Sequence, residues 1–271
     1  MAKTDNIEFQ KFSFSKGLTS MVKLDFRRMF TMPFFYILGG IALLMPILIL
    51  VMTTLMDGTV SVNPQTGVET VIEGFDNVWQ IIGQTSADSM SMSMDLVSMC
   101  NINMLYFMLA VLVCIFISAD FRSGYSKNLF TVRSSKLDYV ISKNLVCVAS
   151  SMLIFILFFI GAVLGGAICS LPFDVGSAGV MGVVMCLLSK LVLTSLFVAL
   201  FSLMAMIGKG KLWLSLLISL GSSMLLFTMV PMITPLDSTI INLILCLAGG
   251  IGFSIGMGAI SNVVLKKTTL V

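Results

Sequence analysis

A chain of 271 residues that is 58% hydrophobic and 11% charged departs far from the roughly 45–50% apolar, about 25% charged make-up of soluble domains. That excludes a water-soluble globule. The net charge of +3, from 16 Lys and Arg against 13 Asp and Glu, is too small to imply nucleic acid, and the absence of histidine removes the usual acid–base side chain and the commonest metal ligand.

In chain order, the first 15 residues carry Lys3, Asp5, Glu8 and Lys11 and lack the apolar core of a secretory signal, so the amino terminus is expected in the cytoplasm. Over residues 15–32, Leu18, Met21, Val22, Phe26, Met29 and Phe30 recur at three- and four-residue steps, with Lys23, Asp25, Arg27 and Arg28 elsewhere around the helix. The pattern predicts a helix lying along the inner membrane surface, either for anchorage or as an elbow gripping a partner. Pro33 restricts Met32 away from helical geometry and predicts a turn there. Six apolar runs then follow at 34–56, 101–119, 145–171, 179–207, 212–233 and 240–265, each near or above the length of a membrane span. Between the first two, Val60, Val62, Val68, Val71 and Ile72 flank Asn63-Pro64-Gln65-Thr66-Gly67, which predicts a hairpin. Beyond it Phe75, Val78, Trp79 and Ile82 share a helical face, with Trp79 suited to the headgroup layer.

The fold class expected is an all-α membrane protein. Its layout is a tail and interfacial helix at 1–33, a first span at 34–56, an extracellular insertion at 57–100, spans two to six over 101–265 with a polar loop at 120–143, and a tail at 266–271. Charge sets the orientation. With six spans, 15 of the 16 basic residues fall on the side of the termini, and Asp57, Glu69, Glu73, Asp76, Asp88, Asp95, Asp174 and Asp237 fall on the other. The positive-inside rule puts both termini in the cytoplasm, and the expected location is a plasma membrane, bacterial by expectation. The acidic outer face follows from translocation of loops without Lys or Arg; a field attracting cationic molecules is the functional alternative.

The remaining basic residue, Lys190, sits inside a span. Intramembrane charge is a functional-site signal, here a substrate pathway, against which stands snorkelling toward the outer surface. Met90, Met92, Met94 and Cys100 offer soft ligands for Cu(I), but the alternation is brief in a chain with 22 methionines, and no metal is expected. Cysteines within apolar runs read as small buried residues, and no CxxC pair is present. Small residues four apart, Gly161 with Gly165 and Gly252 with Gly256, predict close helix packing. The chain has no GxxxxGK[ST], so it is expected to bind no nucleotide cofactor through a P-loop and not to be an ATPase.

The second inner loop reads Ile117-Ser118-Ala119-Asp120-Phe121-Arg122-Ser123-Gly124-Tyr125-Ser126-Lys127-Asn128-Leu129, then Arg133-Ser134-Ser135-Lys136. This acidic-aromatic-basic-x-Gly sequence and the basic segment after it resemble the membrane subunits of type 2 ABC transporters, and VKLDFRRMFTMPFFY, ending at Tyr36, looks like their elbow helix. Asp120 stands where Glu is usual in that family. The resemblance implies a six-span permease pairing with a second, identical or homologous. Two copies of a cytoplasmic ATPase would supply ATP and magnesium chemistry, with lipid bilayer around and no nucleic acid. It implies a coupling helix at 122–131. Asp120, Phe121, Arg122, Gly124, Tyr125, Lys127, Leu129 and Phe130 are the coupling residues, and Lys23, Phe26, Arg27 and Arg28 belong to the elbow. Export of a hydrophobic or amphipathic substrate, a peptide first and then a drug or lipid, is the expected activity. A peptide sensor or channel signalling to an ATPase is the alternative. An intramembrane enzyme has little support without histidine or paired carboxylates in a span.

Overall fold

Met32 adopts an extended conformation (φ −82°, ψ 117°) ahead of Pro33, and this residue separates helix α1 (Phe14–Thr31) from α2 (Pro33–Met56). The computed structural model describes residues 14–62, 69–71, 74–84, 101–132, 136–175, 179–227 and 229–267. After α2, strands β1 (Val60–Val62) and β2 (Glu69–Val71) pair antiparallel with Val60 opposite Val71; the residues expected to turn the hairpin, 63–67, lie outside the described residues. A 3₁₀ turn at Val78–Ile81 follows. A second, at Ile102–Met104, leads into α3 (Leu105–Arg122), then α4 (Tyr125–Val132), α5 (Lys136–Ile168), α6 (Gly179–Ile207), α7 (Leu212–Phe227), α8 (Val230–Ile233) and α9 (Ile240–Lys267).

The chain is a membrane-embedded helical protein. Among the described residues, five helical segments are long and apolar enough to cross a bilayer: α2, the 3₁₀ turn with α3, α5, α6 and α9. The expected fifth run, 212–233, does not form one continuous helix. Pro231 has no N–H to give to the carbonyl of Phe227, and α7 ends at Phe227 after 16 residues. The third run also needs correcting. Its helix begins at Lys136 rather than 145, because the charges of Lys136, Asp138 and Lys143 depress hydropathy without interrupting helix formation.

Helix α2 packs along α5, and α9 along α6, while α3 is clasped by α6 and α7. The two glycine pairs behave differently. A Cβ on Gly161 would collide with the carbonyl oxygen of Leu43, and one on Gly165 would sit 2.9 Å from the Cα of Ile47, so both let α2 approach α5 at backbone distance. Gly252 and Gly256 have nothing within 4 Å of such a Cβ; they line a shallow groove with Ala248, Phe253 and Ile260. It is Gly250, against Ser195, that seats α9 on α6. At the centre, Tyr106 stacks on Phe197 with centroids 4.2 Å apart. On the hairpin side Trp79 stacks on Phe159 and donates from Nε1 to the carbonyl of Phe173 at 3.1 Å.

Candidate functional site

The face that α1 turns toward the bundle is Gly17, Met21, Asp25 and Met29, four residues apart and all buried. Asp25 therefore stands in a line otherwise apolar or small, with no exposed surface. Its compensation comes from α5. Lys143 Nζ lies 2.7 Å from Asp25 Oδ1 and 2.6 Å from Asp120 Oδ2, and the Ser142 hydroxyl donates to Asp25 Oδ2 at 2.6 Å.

Asp120, in the last turn of α3, is as deeply buried. It accepts from Arg28 Nη2 at 2.5 Å and from the Tyr139 hydroxyl at 3.0 Å. Two carboxylates thus face one ammonium and one guanidinium, a formally neutral set joining α1, α3 and α5. Each charge has an opposite partner, and the two carboxylates accept further hydrogen bonds from Ser142 and Tyr139, which is what makes buried ions tolerable. The Phe116 ring, 4.1 Å from Lys143 Nζ, adds a cation–π contact.

This network continues into α4. The guanidinium of Arg28 lies over the Tyr125 ring at 4.3 Å, and Tyr139 meets Phe130 edge-on at 5.4 Å and Phe121 at 6.5 Å. Lys136 spans from the Phe130 ring, 5.5 Å away, to the carbonyl of Leu265, 2.7 Å away. Gly124, at φ +72°, makes the left-handed turn between α3 and α4 that a side chain would strain. Burial works against the Arg28 guanidinium, but the attraction of Asp120, its hydrogen bond and the nearby Asp25 outweigh this and hold its proton above the ordinary arginine range. Burial raises the Tyr125 phenol, and Asp25 adds to the shift, with Arg28 opposing.

The residues anticipated for coupling divide accordingly. Asp120 is a buried anchor, Phe121, Tyr125, Leu129 and Phe130 are half-buried backing, and Arg122 and Lys127 are exposed. In α1, Lys23 and Arg27 are exposed, Phe26 stacks on Phe30 with centroids 6.0 Å apart, and Arg28 belongs to the network. The loop expected at 120–143 is helical through most of its described length, with residues 133–135 outside the described set. Sequence reasoning missed Asp25, Tyr139, Ser142 and Lys143 as partners. Asp25 looked like part of a polar face, and Lys143 like a loop charge. The signal available was local: Tyr139 and Lys143 are one helical turn apart, and Ser142 adjoins them.

Lys190 neither snorkels nor reaches a surface. It is fully buried, with Nζ 2.7 Å from Asn103 Oδ1 and 3.0 Å from Thr234 Oγ1. Among the described residues no three His, Cys, Asp or Glu side chains are grouped to hold a metal, and the methionine run at 90–94 with Cys100 lies outside them. No protein-family model, curated protein or solved structure matches the chain.

Proposed function

We propose that this chain is the membrane permease subunit of an ATP-binding cassette exporter. The carrying observation is the backing of α4, a short helix whose exposed Lys127 and Asn128 face away from side chains tied, through Arg28, Tyr139 and Asp120, to α1 and α5. A docking helix that must transmit a push needs such a rigid mount. In this reading α1 is the interfacial elbow, α7 with α8 makes the fifth of six crossings of the bilayer, and the exposed side of α4 enters a groove on the ATPase. ATP binding closes a pair of ATPase subunits, and the motion reaches the spans of two permeases. The switch needs a substrate whose affinity differs between the two conformations. The substrate class is hydrophobic or amphipathic, a peptide first.

Co-purification tests it. An ATPase subunit is expected to accompany the chain, and substrate is expected to stimulate hydrolysis. Combined Arg122→Glu and Lys127→Glu, at exposed positions, should release the ATPase while the permease stays folded. An unpartnered chain, or an ATPase whose retention ignores both substitutions, overturns the assignment. Retention without any substrate movement favours the sensor reading.

A further inference from the structure

Lys190 lies 11 residues into α6 from Gly179, roughly 16 Å along the helix axis, and takes no part in the network beside α4. Three elements converge on it. Asn103 comes from the 3₁₀ turn before α3, and Thr234 follows α8; both are buried. The Thr234 hydroxyl gives its own proton to the carbonyl of Val230 at 2.8 Å, so toward the lysine it is an acceptor. Tyr106 fixes the backbone by donating to the carbonyl of Lys190 at 3.2 Å.

A roof closes the site at the hairpin end. Cys186, one turn along α6, donates from Sγ to the carbonyl of Thr234 at 3.4 Å. A Cβ on Gly83 would stand 3.4 Å from that sulfur, and Leu236 N–H bonds to the carbonyl of Gln84 at 2.7 Å. Segments 81–84 and 234–236 together therefore cover the lysine.

An ammonium has three N–H bonds and a full positive charge. Among the described residues Lys190 meets two neutral oxygens and no carboxylate oxygen within 4.0 Å. A Met or Leu would fill the same space without burying a charge, and an unpaired ion in an apolar bundle is expensive. Asn103 can also reverse its role toward an anion, since its amide carries donors as well as an acceptor. We infer that Lys190, Asn103 and Thr234 form a receptor for the single negative charge of an amphiphile, a carboxylate or phosphodiester on an apolar chain, admitted when the roof lifts. The inference rests on the export reading only for what carries the charge. A transported molecule with a carboxylate and a bilayer lipid with a phosphodiester are the two sources.

Native mass spectrometry of the full chain, released from phosphatidylcholine nanodiscs, can count retained laurate, methyl laurate and lysophosphatidylglycerol. The wild type is expected to hold one laurate at least tenfold more tightly than methyl laurate. Lys190→Gln should lose that tenfold and Lys190→Arg keep it, with methyl laurate unaffected throughout. Glutamine retains a donor toward Asn103 and Thr234, and an unfolding temperature near the wild type's shows that the variant folds. Equal laurate retention in wild type and a folded Lys190→Gln overturns the inference. So does a wild type that does not distinguish laurate from its ester, a result that needs no variant. Tighter lysophosphatidylglycerol, again lost in Lys190→Gln, assigns the site to lipid; tighter laurate assigns it to a transported carboxylate. None of these measurements uses ATP or the ATPase, so a failure of co-purification sinks the export reading without deciding this one.

Discussion

Two regions of the bundle bury charge in opposite ways. Beside α4, Asp25, Asp120, Arg28 and Lys143 cancel one another within contacts of 2.5–2.7 Å; midway along α6, Lys190 stands among neutral oxygens. The first arrangement holds three helices in one geometry because every ion has a partner that is also a backbone-anchored neighbour. The second holds elements together with ordinary hydrogen bonds and gives its charge no carboxylate oxygen within 4.0 Å among the described residues. A closed ionic set suits a part that must move as a unit, and an uncompensated one suits a part that meets another charge.

Removing a single ion should separate them most sharply. Lys143→Met leaves two buried carboxylates facing each other, with only Arg28 near both, and breaking a buried set in this way typically costs about 3–5 kcal/mol. The expected readout is a large loss of unfolding temperature in detergent. Adding Asp25→Asn to that variant should restore part of the loss, since Asp120 keeps Arg28. A Lys143→Met protein as stable as wild type would mean that the network contributes nothing to the geometry of α1.

The next effect concerns the seam that carries α5 past α2. Gly161→Ala sets a methyl against the carbonyl oxygen of Leu43, and backbone must shift, at about 1–3 kcal/mol by the usual range for overpacking. Gly252→Ala meets nothing within 4 Å and should stay within about 0.5 kcal/mol. Parallel thermal denaturation of the two variants checks the difference. If they matched, α2 and α5 would not be in backbone contact.

What the sequence disclosed follows the same division. Hydropathy placed α2, α6 and α9 within a residue or two, and Pro33 placed the break after α1, because both signals are local. It could not place the buried ions. Asp25 lies at helical spacing from Met21 and Met29, but a carboxylate there reads as polar surface until a lysine on another helix faces it. Lys143 reads as a loop charge because a hydropathy window averages it with Lys136 and Asp138, although helix α5 runs through all three. Gly161, Gly165, Gly252 and Gly256 share one spacing, and only the neighbouring helix distinguishes packed from open. Lys190 was visible as an intramembrane charge, while Asn103 and Thr234, 87 and 44 positions away, were not visible as its partners.

The contrast predicts a smaller response at Lys190 than at Lys143. Lys190→Met strands no opposite charge. It leaves the oxygens of Asn103 and Thr234 with one hydrogen bond fewer, about 1–3 kcal/mol for a buried group, and relieves the burial of an ion, which works in the other direction. A net change of less than about 1 kcal/mol is expected from denaturation by heat. A loss as large as that of Lys143→Met would reveal a counter-charge on Lys190 and end the distinction between the two regions.

The finest test lies at the rim of the balanced network, where Tyr125 sits half-buried beneath Arg28. Burial, with Asp25 adding to it, raises its phenol above the ordinary value of 10. The folded protein therefore keeps the phenolic proton at pH values where the unfolded chain has released it. By linkage this contribution is fully present below the unfolded pKa and is lost as pH rises through the folded one, so the window opens near pH 10 and extends upward. Partial exposure to solvent screens the effect and keeps it small. Tyr125→Phe preserves the ring under the guanidinium and removes the ionisable group, so its unfolding temperature should fall less steeply than the wild type's above pH 10 and follow it at pH 7. Identical alkaline slopes would mean that the phenol senses neither its burial nor the acidic side of the network, and that the rim of the cluster is electrostatically open to water.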